Sequence, residues 1–176
     1  MYPLTKHFLN KKNILFVCIG TDRSTGDSVG PLAGSFLKAK GFEVVGTLHN
    51  PVHSTNLKET MKHIKKEYPA HYIVAIDAAL SKRVDDIGKV IVEEGPIVPG
   101  IAVGKSLPAV GDISIKGVVN IISVNNHSVL QNTRLSAVWD LATEIVQLCE
   151  DATKNNLSVK KPNVDALDEI AATKTK

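Results

Sequence analysis

A chain of 176 residues with 43% hydrophobic side chains is long enough for one α/β domain with a single core. Its net charge of +3 is small and its lysines are scattered or stand in short pairs, so we expect no nucleic-acid partner. No run approaches the roughly eighteen consecutive apolar residues of a membrane span, so we expect no membrane partner and a cytoplasmic protein.

The first predicted unit is a strand, a polar loop and a helix. Residues 14–19 form a continuous apolar run, which is typical of a strand buried on both faces of a parallel sheet. A polar loop covers residues 20–27, and apolar side chains from Val29 to Leu37 then recur at helical spacing up to Gly41. This order predicts a central strand followed by a covering helix.

A second strand, a helix and a third strand follow. Residues 42–48 predict a strand, and residues 57–68 carry apolar side chains on one helical face. Asn56 and Glu59 resemble a capping box at the start of that helix. Residues 72–76 predict another buried strand, and the two successive strand–helix–strand units favour a parallel sheet with helices on its faces.

The second half of the chain has a weaker pattern. Residues 87–119 are rich in glycine and proline and alternate short Val/Ile runs, which predict brief strands joined by tight loops. Residues 118–124 predict a further strand, and residues 135–149 predict a long helix that covers one face of the sheet. After residue 151 the apolar pattern fades, apart from a short set that could form a weak terminal helix.

These patterns divide the chain into an N-terminal arm at residues 1–12, a single α/β domain at residues 13–151 and a mobile tail at residues 152–176. Cys18 lies in an apolar run and Cys149 on an apolar helical stripe. Both cysteines are therefore predicted to be reduced core residues rather than partners in a disulfide bond.

Two acids are the leading candidates for chemistry, because ligands of parallel α/β sheets gather where the strands end. Asp77 ends the third predicted strand, and Asp27 stands where the first long helix begins. If folding brings them together, the two like charges cannot both ionise at low cost, and one acid holds a proton. The charged acid could then activate water while the neutral acid protonates the leaving amine, as in aspartic proteases.

A structural explanation stands beside the catalytic one, because acids at strand ends often form turns or cap helices. Nearby serines and threonines lack a histidine base at a recognisable spacing, so serine-type catalysis has little support. Arg23 could bind a substrate carboxylate or be a surface residue. Gly100 and Gly104 could present backbone amides to an extended peptide or only form tight turns, and Lys105 could point to the same place.

Three motifs carry a resemblance to a known family: Gly-Thr-Asp-Arg-Ser-Thr-Gly-Asp-Ser-Val-Gly-Pro at 20–31, Ala-Ile-Asp-Ala-Ala-Leu at 75–80 and Pro-Gly-Ile-Ala-Val-Gly at 99–104. They resemble the sporulation protein YyaC family, which is related to the germination protease of spore-forming bacteria. In that protease, the matching aspartates of the first two motifs are the catalytic acids. The resemblance therefore implies this role for Asp27 and Asp77.

The resemblance implies an α/β three-layer sandwich with a mostly parallel central sheet, of the phosphorylase/hydrolase type, shared with hydrogenase-maturation endopeptidases. It also implies an aspartic peptidase that needs no cofactor and acts on a peptide or protein substrate in the sporulating cell or spore core. One alternative is a catalytically inactive sporulation protein that binds a peptide or a partner. A homo-oligomer is compatible with either hypothesis.

A second alternative is a metal-dependent peptidase-like protein. The hydrogenase-maturation relatives use an acidic pair with a histidine to recognise nickel, and here His49, His53 or His127 could supply the imidazole. A loop histidine is more often solvated or hydrogen-bonded than bound to metal, so no metal is expected in the site. His53 is predicted instead as a substrate-binding residue.

Overall fold

The computed structural model describes residues 3–8, 11, 13–100 and 107–159 of the chain. Its helices and strands follow in this order: α1 Pro3–Phe8, β1 Ile14–Cys18, α2 Val29–Ala39, β2 Val44–Val45, α3 Leu57–Glu67, β3 Tyr72–Ser81, β4 Val90–Glu94, β5 Ile113–Ile121, α4 Asn126–Gln131 and α5 Leu135–Val159. Short 3-10 helices at Gly26–Ser28 and Val84–Asp86 precede α2 and β4. Strands and helices alternate up to β3, as predicted.

The strands of the described residues form one sheet in the order β2-β1-β3-β5-β4. β2, β1, β3 and β5 run parallel, and β4 pairs antiparallel with β5. The pairing of β1 with β3 ends at Cys18 and Ile76, whereas β3 stays paired with β5 as far as Ser81 and Ile121. β3 therefore extends past the end of β1.

Helices cover both faces of the sheet. Phe16 and Cys18 point to the face that packs with α1, α2 and α5, and Leu15 and Val17 point to the face that packs with α3. This division follows from the strand geometry, because successive side chains point to opposite faces. The arrangement confirms the predicted three-layer α/β architecture with a mostly parallel sheet.

Three strand boundaries differ from the prediction. The strand predicted at 72–76 continues to Ser81, so Asp77 lies within β3 rather than at its end. The strand predicted at 42–48 contains only Val44–Val45, because the chain then turns and the Thr47 N–H donates to the Asn50 carbonyl at 3.1 Å. The strand predicted at 118–124 is wrong in position, since β5 is Ile113–Ile121. Ser114 and Lys116 interrupt the apolar pattern at the start of β5, but both residues pair with β3. Local hydrophobicity alone therefore does not indicate where β5 begins.

The two ends of the described chain pack onto the same face of the sheet. Within the predicted N-terminal arm, residues 3–8 form α1, whose Leu4 and Phe8 side chains are fully buried in the core. The predicted boundary at residue 151 falls inside α5, which continues to Val159. The predictions for residues 160–176 lie outside the described residues. Within the described ranges, no helix is both long and apolar enough to cross a membrane.

The cysteine prediction is confirmed. Cys18 in β1 and Cys149 in α5 are both free and buried in the core. Burial raises the pKa of each thiol, because an apolar environment disfavours the thiolate. These cysteines therefore behave as packing residues rather than as nucleophiles.

Candidate functional site

A cavity of about 630 Å³ lies at the carboxyl ends of β1 and β3, within the volume range of ordinary ligand sites. We call it the strand-end cavity. Its polar lining consists of Thr21, Arg23, Ser24, Asp27, His53, Ser54, Asp77, His127 and Gln131, and its other lining residues are Ile19, Gly20, Ala78, Ala79, Leu80, Pro99, Gly100, Leu107 and Leu130. Both predicted acids thus line one cavity.

Asp27 is held by a loop that folds back onto the end of β1. The Thr21 N–H donates to the Asp27 carbonyl at 3.1 Å, and a Cβ on Gly20 would lie 1.9 Å from that same oxygen. Gly30, at the start of α2, approaches so closely that a Cβ would lie 2.0 Å from the Ile19 carbonyl oxygen. The glycines of the first motif therefore permit the backbone contacts that bring Asp27 to the cavity.

The simple capping explanation does not account for Asp27. The N-cap position of α2 belongs to Ser28, whereas Asp27 lies inside the preceding 3-10 helix. The Ser28 hydroxyl donates to the Thr25 carbonyl at 2.6 Å, which is a bond within the turn. Asp27 is partly buried and faces the cavity at the point where α2 begins.

Asp77 is a buried acid in the middle of β3. The residue is only 8% exposed, and its Oδ1 accepts a hydrogen bond from the Ala78 N–H at 2.8 Å. Burial raises the pKa of the Asp77 carboxyl well above its ordinary value, and the negative charge of Asp27 raises it further. The Ala78 hydrogen bond and the positive charge of Lys116 act in the opposite direction but are weaker. Asp77 therefore keeps its proton to a higher pH than a solvated aspartate does.

Lys116 is a neighbour of Asp77 that the sequence analysis missed. It is the register partner of Asp77 on β5, so both side chains project from the same face of the sheet. Its Nζ is paired with the carboxylate of Glu93 on β4. Because this partner shares the positive charge, Lys116 only partly offsets the burial of Asp77.

His53 is held by a local hydrogen-bond network. Its N–H donates to Asn56 Oδ1 at 2.8 Å, and Asn56 Nδ2 donates to the Pro51 carbonyl at 2.9 Å. The ring Nδ1 lies 2.9 Å from Thr55 Oγ1. The predicted helix start is confirmed, because Asn56 is the N-cap of α3. The capping hydrogen bond itself does not form: the Asn56 side chain bonds to the His53 loop instead, and Glu59 is exposed.

The remaining predicted site residues divide into two groups. Arg23 is exposed and lines the strand-end cavity, as does Gly100, which has a positive φ of 75°. Gly104 and Lys105 lie outside the described residues. Of the other histidines considered, His127 on α4 lines the cavity, whereas His49 lies exposed in the loop after β2 and is absent from the lining.

Ser24 has an unusual environment for a polar residue. It is only 5% exposed, and its hydroxyl has no hydrogen-bond partner among the described residues. A buried polar group left unsatisfied costs about 1–3 kcal/mol. Ser24 lines the strand-end cavity three positions before Asp27, and only the folded structure distinguishes it from the neighbouring hydroxyl residues.

The described residues do not form the nickel-type site that the resemblance raised as an alternative. Among the residues that the structure describes, no group of three or more His, Cys, Asp or Glu side chains is arranged to hold a metal ion. Asp27, Asp77 and His53 share the cavity lining without forming such a group.

A second cavity of about 620 Å³, the α5 groove, lies between β4 and α5. It is lined by Val90, Val92, Trp139, Asp140, Thr143, Glu144, Gln147, Leu148 and Asp151. The three acids of this groove are exposed on the surface of α5. The acids of the α5 groove therefore keep their contact with solvent, unlike the buried Asp77 of the strand-end cavity.

Sequence comparison identifies related proteins. A family model described as "Protein of unknown function (DUF1256)" matches residues 1–148. The "Uncharacterized protein YyaC" of Bacillus subtilis (strain 168) is 45% identical over 139 residues, which is 77% of this chain and 67% of that protein. These matches confirm the family resemblance found in the sequence motifs.

Solved structures with the same fold include two proteases of hydrogenase maturation. The [NiFe] hydrogenase maturation protease HycI from Thermococcus kodakarensis KOD1 matches with a TM-score of 0.58 and 17% identity, covering 86% of this chain and 98% of that one. HybD from Thermococcus kodakarensis matches with a TM-score of 0.50 and 17% identity, covering 79% and 97%. At this level of identity the likeness establishes the fold, as the resemblance implied.

Proposed function

This chain belongs to the DUF1256 family, and we propose that it is an endopeptidase of the germination-protease type that hydrolyses peptide bonds with Asp27 and Asp77. The observation that carries the proposal is the environment of Asp77, which is 8% exposed in a cavity that Asp27 also lines. Burial and the charge of Asp27 both raise the pKa of Asp77, so the pair holds a proton to a higher pH than two solvated aspartates do.

The proposed reaction uses the two acids as base and acid. The charged carboxylate of the pair removes a proton from water while the water oxygen attacks the carbonyl carbon of the peptide bond. The protonated carboxyl then gives its proton to the amide nitrogen, the C–N bond breaks, and the products are a carboxylic acid and an amine. No covalent intermediate with the enzyme forms.

The cavity lining supports a peptide or protein substrate. Arg23 is exposed at the cavity and is suited to a substrate carboxylate, while His53 and Gly100 offer further polar contacts. The structural relatives are described as maturation proteases, which is consistent with a protein substrate. The motifs of the sequence resemble the YyaC family of sporulation proteins, and this resemblance supports action in the cytoplasm of the sporulating cell or in the spore core.

A peptide-library assay tests this function directly. The purified protein is incubated with a proteome-derived peptide library, and new peptide termini are identified by mass spectrometry. We expect cleavage by the wild type, and loss of cleavage in Asp27→Asn and in Asp77→Asn, each with a wild-type circular-dichroism spectrum. The rate should follow a bell-shaped pH profile, because one acid must be charged and the other protonated.

The assay separates catalysis from binding alone. Wild-type turnover in both asparagine variants would refute the acid-pair mechanism. Peptides that the wild-type protein retains but leaves intact would instead favour the non-catalytic binding function.

A further inference from the structure

One edge of β3 faces the strand-end cavity without a neighbouring strand. β1 pairs with β3 only as far as Cys18 and Ile76, whereas β3 continues to Ser81. Beyond Ile76, the side of β3 that faces β1 therefore has no strand partner among the described residues. We call residues 78–80 on this side the β3 edge, and all three line the cavity beside Asp77.

Hydrogen bonds at both ends of this segment define which backbone groups face the cavity. The Ile76 carbonyl accepts from the Ile19 N–H at 2.7 Å, so residue 76 faces β1. The Ser81 carbonyl accepts from the Ile122 N–H at 2.8 Å, so residue 81 faces β5. The β3–β5 register shifts between Ala79 and Leu80, where β5 contains one extra residue, Val119. Residues 76 and 81 on either side of this shift still face opposite strands, so the alternation along β3 itself is kept. The even-numbered residues after Ile76 therefore face the cavity.

Ala78 and Leu80 are these residues, and their backbone groups are not all occupied. The Ala78 N–H donates to Asp77 Oδ1 at 2.8 Å. On the cavity side, the Ala78 carbonyl and both backbone groups of Leu80 have no strand partner in the described chain. Exposed edges are commonly protected by charged side chains or proline, but the three residues of the β3 edge are small or apolar.

We propose that a protein substrate enters the strand-end cavity as an extended segment that hydrogen-bonds to the β3 edge as an added strand. This inference rests on the peptidase function proposed above and names the form in which its substrate binds. Strand addition uses main-chain hydrogen bonds for affinity, so an unfolded segment of many sequences can bind. Such a segment runs directly past Asp77, which immediately precedes the β3 edge.

A second observation supports a peptide in this place. Ser24 lines the same cavity, and its buried hydroxyl has no partner in the described part of the chain. A backbone amide or carbonyl of the added strand can satisfy that hydroxyl. Ser24 belongs to the loop of Asp27, whereas the β3 edge belongs to the strand of Asp77, so the segment contacts both elements that supply an acid.

Binding to a variant without the acids tests the inference independently of cleavage. The double variant Asp27→Asn/Asp77→Asn is immobilised and exposed to a randomised dodecapeptide library, or to the same library N-methylated at every backbone nitrogen. We expect the methylated library to be retained at least about tenfold less, because it cannot donate to the carbonyls of the β3 edge. Equal retention of the two libraries would overturn the inference.

Substitutions of Leu80 provide a matched pair. Leu80→Ala and Leu80→Pro both remove the leucine side chain, but only proline removes the N–H that faces the cavity. In the background without the acids, we expect Leu80→Pro to retain about tenfold less of the unmodified library than Leu80→Ala. Equal retention by two folded variants would contradict strand addition.

If Leu80→Pro does not fold, amide hydrogen exchange tests the same inference. On addition of the unmodified library to the double variant, the Leu80 N–H should become protected, while the Ala79 N–H, which faces β5, should not change. Library binding without protection at Leu80 would overturn the inference. If the wild type cuts no peptide but these results hold, the catalytic proposal fails alone; if it cuts and they do not, the binding mode fails alone.

Discussion

The strand-end cavity and the α5 groove have nearly the same volume, about 630 and 620 Å³, but they hold their acids differently. Asp77 in the first cavity is 8% exposed, whereas Asp140 and Glu144 in the second are exposed on a helix. An exposed carboxylate keeps its hydration, while a buried one must be paired or protonated. The strand-end cavity therefore differs from the α5 groove in the burial of its acid Asp77, and not in its volume.

The two cavities also differ in how their walls are built. The walls of the α5 groove are side chains of β4 and of one continuous helix, α5. Side chains of this kind lie on the surface of any solvated helix. The strand-end cavity combines the β1–α2 loop, the end of β3, α4 and the loop before α3. Its geometry therefore depends on close backbone contacts between separate elements, so substitutions there should have larger effects.

The largest expected difference between the cavities is in catalysis. Asp77→Asn should lower the initial rate of library cleavage by about 10²–10⁴-fold, the usual contribution of a general acid or base. Glu144→Gln removes a carboxylate from the α5 groove in the same conservative way, and its rate should stay within about twofold of the wild type. If Asp77→Asn and Glu144→Gln lowered the cleavage rate equally, the two cavities would not differ in function.

The backbone contacts of the strand-end cavity offer the next largest effect. Gly30→Ala should lower the free energy of unfolding by about 3 kcal/mol or more, because its Cβ would lie 2.0 Å from the Ile19 carbonyl oxygen. Gly88→Ala is the control: its φ is +82° but no atom lies within 4 Å of the added Cβ, so about 1–2 kcal/mol of backbone strain is expected. Urea denaturation measures both values, and similar costs would show that the loop is not tightly packed.

The pH dependence of stability gives a smaller effect. The folded-state pKa of Asp77 is raised, so as pH rises above about 4 the unfolded chain loses this proton before the folded chain does. The stability of the wild type relative to Asp77→Asn therefore falls with rising pH. We expect the variant to be more stable by about 1–3 kcal/mol at neutral pH and nearly equal near pH 3.

Thermal denaturation across this pH range measures the difference between wild type and Asp77→Asn. Asp140→Asn in the α5 groove serves as the control, because an exposed surface substitution usually changes stability by less than about 0.5 kcal/mol. A stability gain in Asp77→Asn that did not vary with pH would contradict the raised pKa.

Two buried serines give the smallest predicted effect. Ser24→Ala removes a hydroxyl without a partner in the described residues, so the free energy of unfolding should stay equal or rise slightly. Ser28→Ala removes the bond to the Thr25 carbonyl and should cost about 1 kcal/mol. If Ser24→Ala were the more destabilising of the two in urea denaturation, its hydroxyl would have a structural role.

Elements with a strong local pattern were predicted well from the sequence. β1 is an unbroken apolar run, and α2, α3 and α5 carry apolar side chains at helical spacing, so their identity did not depend on distant residues. α1 was missed because six residues are too few for a clear period, and its burial depends on contacts with α5 and the sheet. β5 was misplaced because pairing with β3 and β4 overrode the local hydrophobicity.

For the candidate site, the sequence by itself determined which polar residues follow the buried apolar runs, because such a junction is a local signal. It marked Asp27, Asp77, Arg23 and His53 in this way. Only the tertiary structure decided that Asp77 is buried beside the charge of Asp27 and that Lys116 is a neighbour of Asp77. It also decided that β3 extends beyond the end of β1. Burial, charge proximity and strand register join residues far apart in the chain, and no local pattern encodes them.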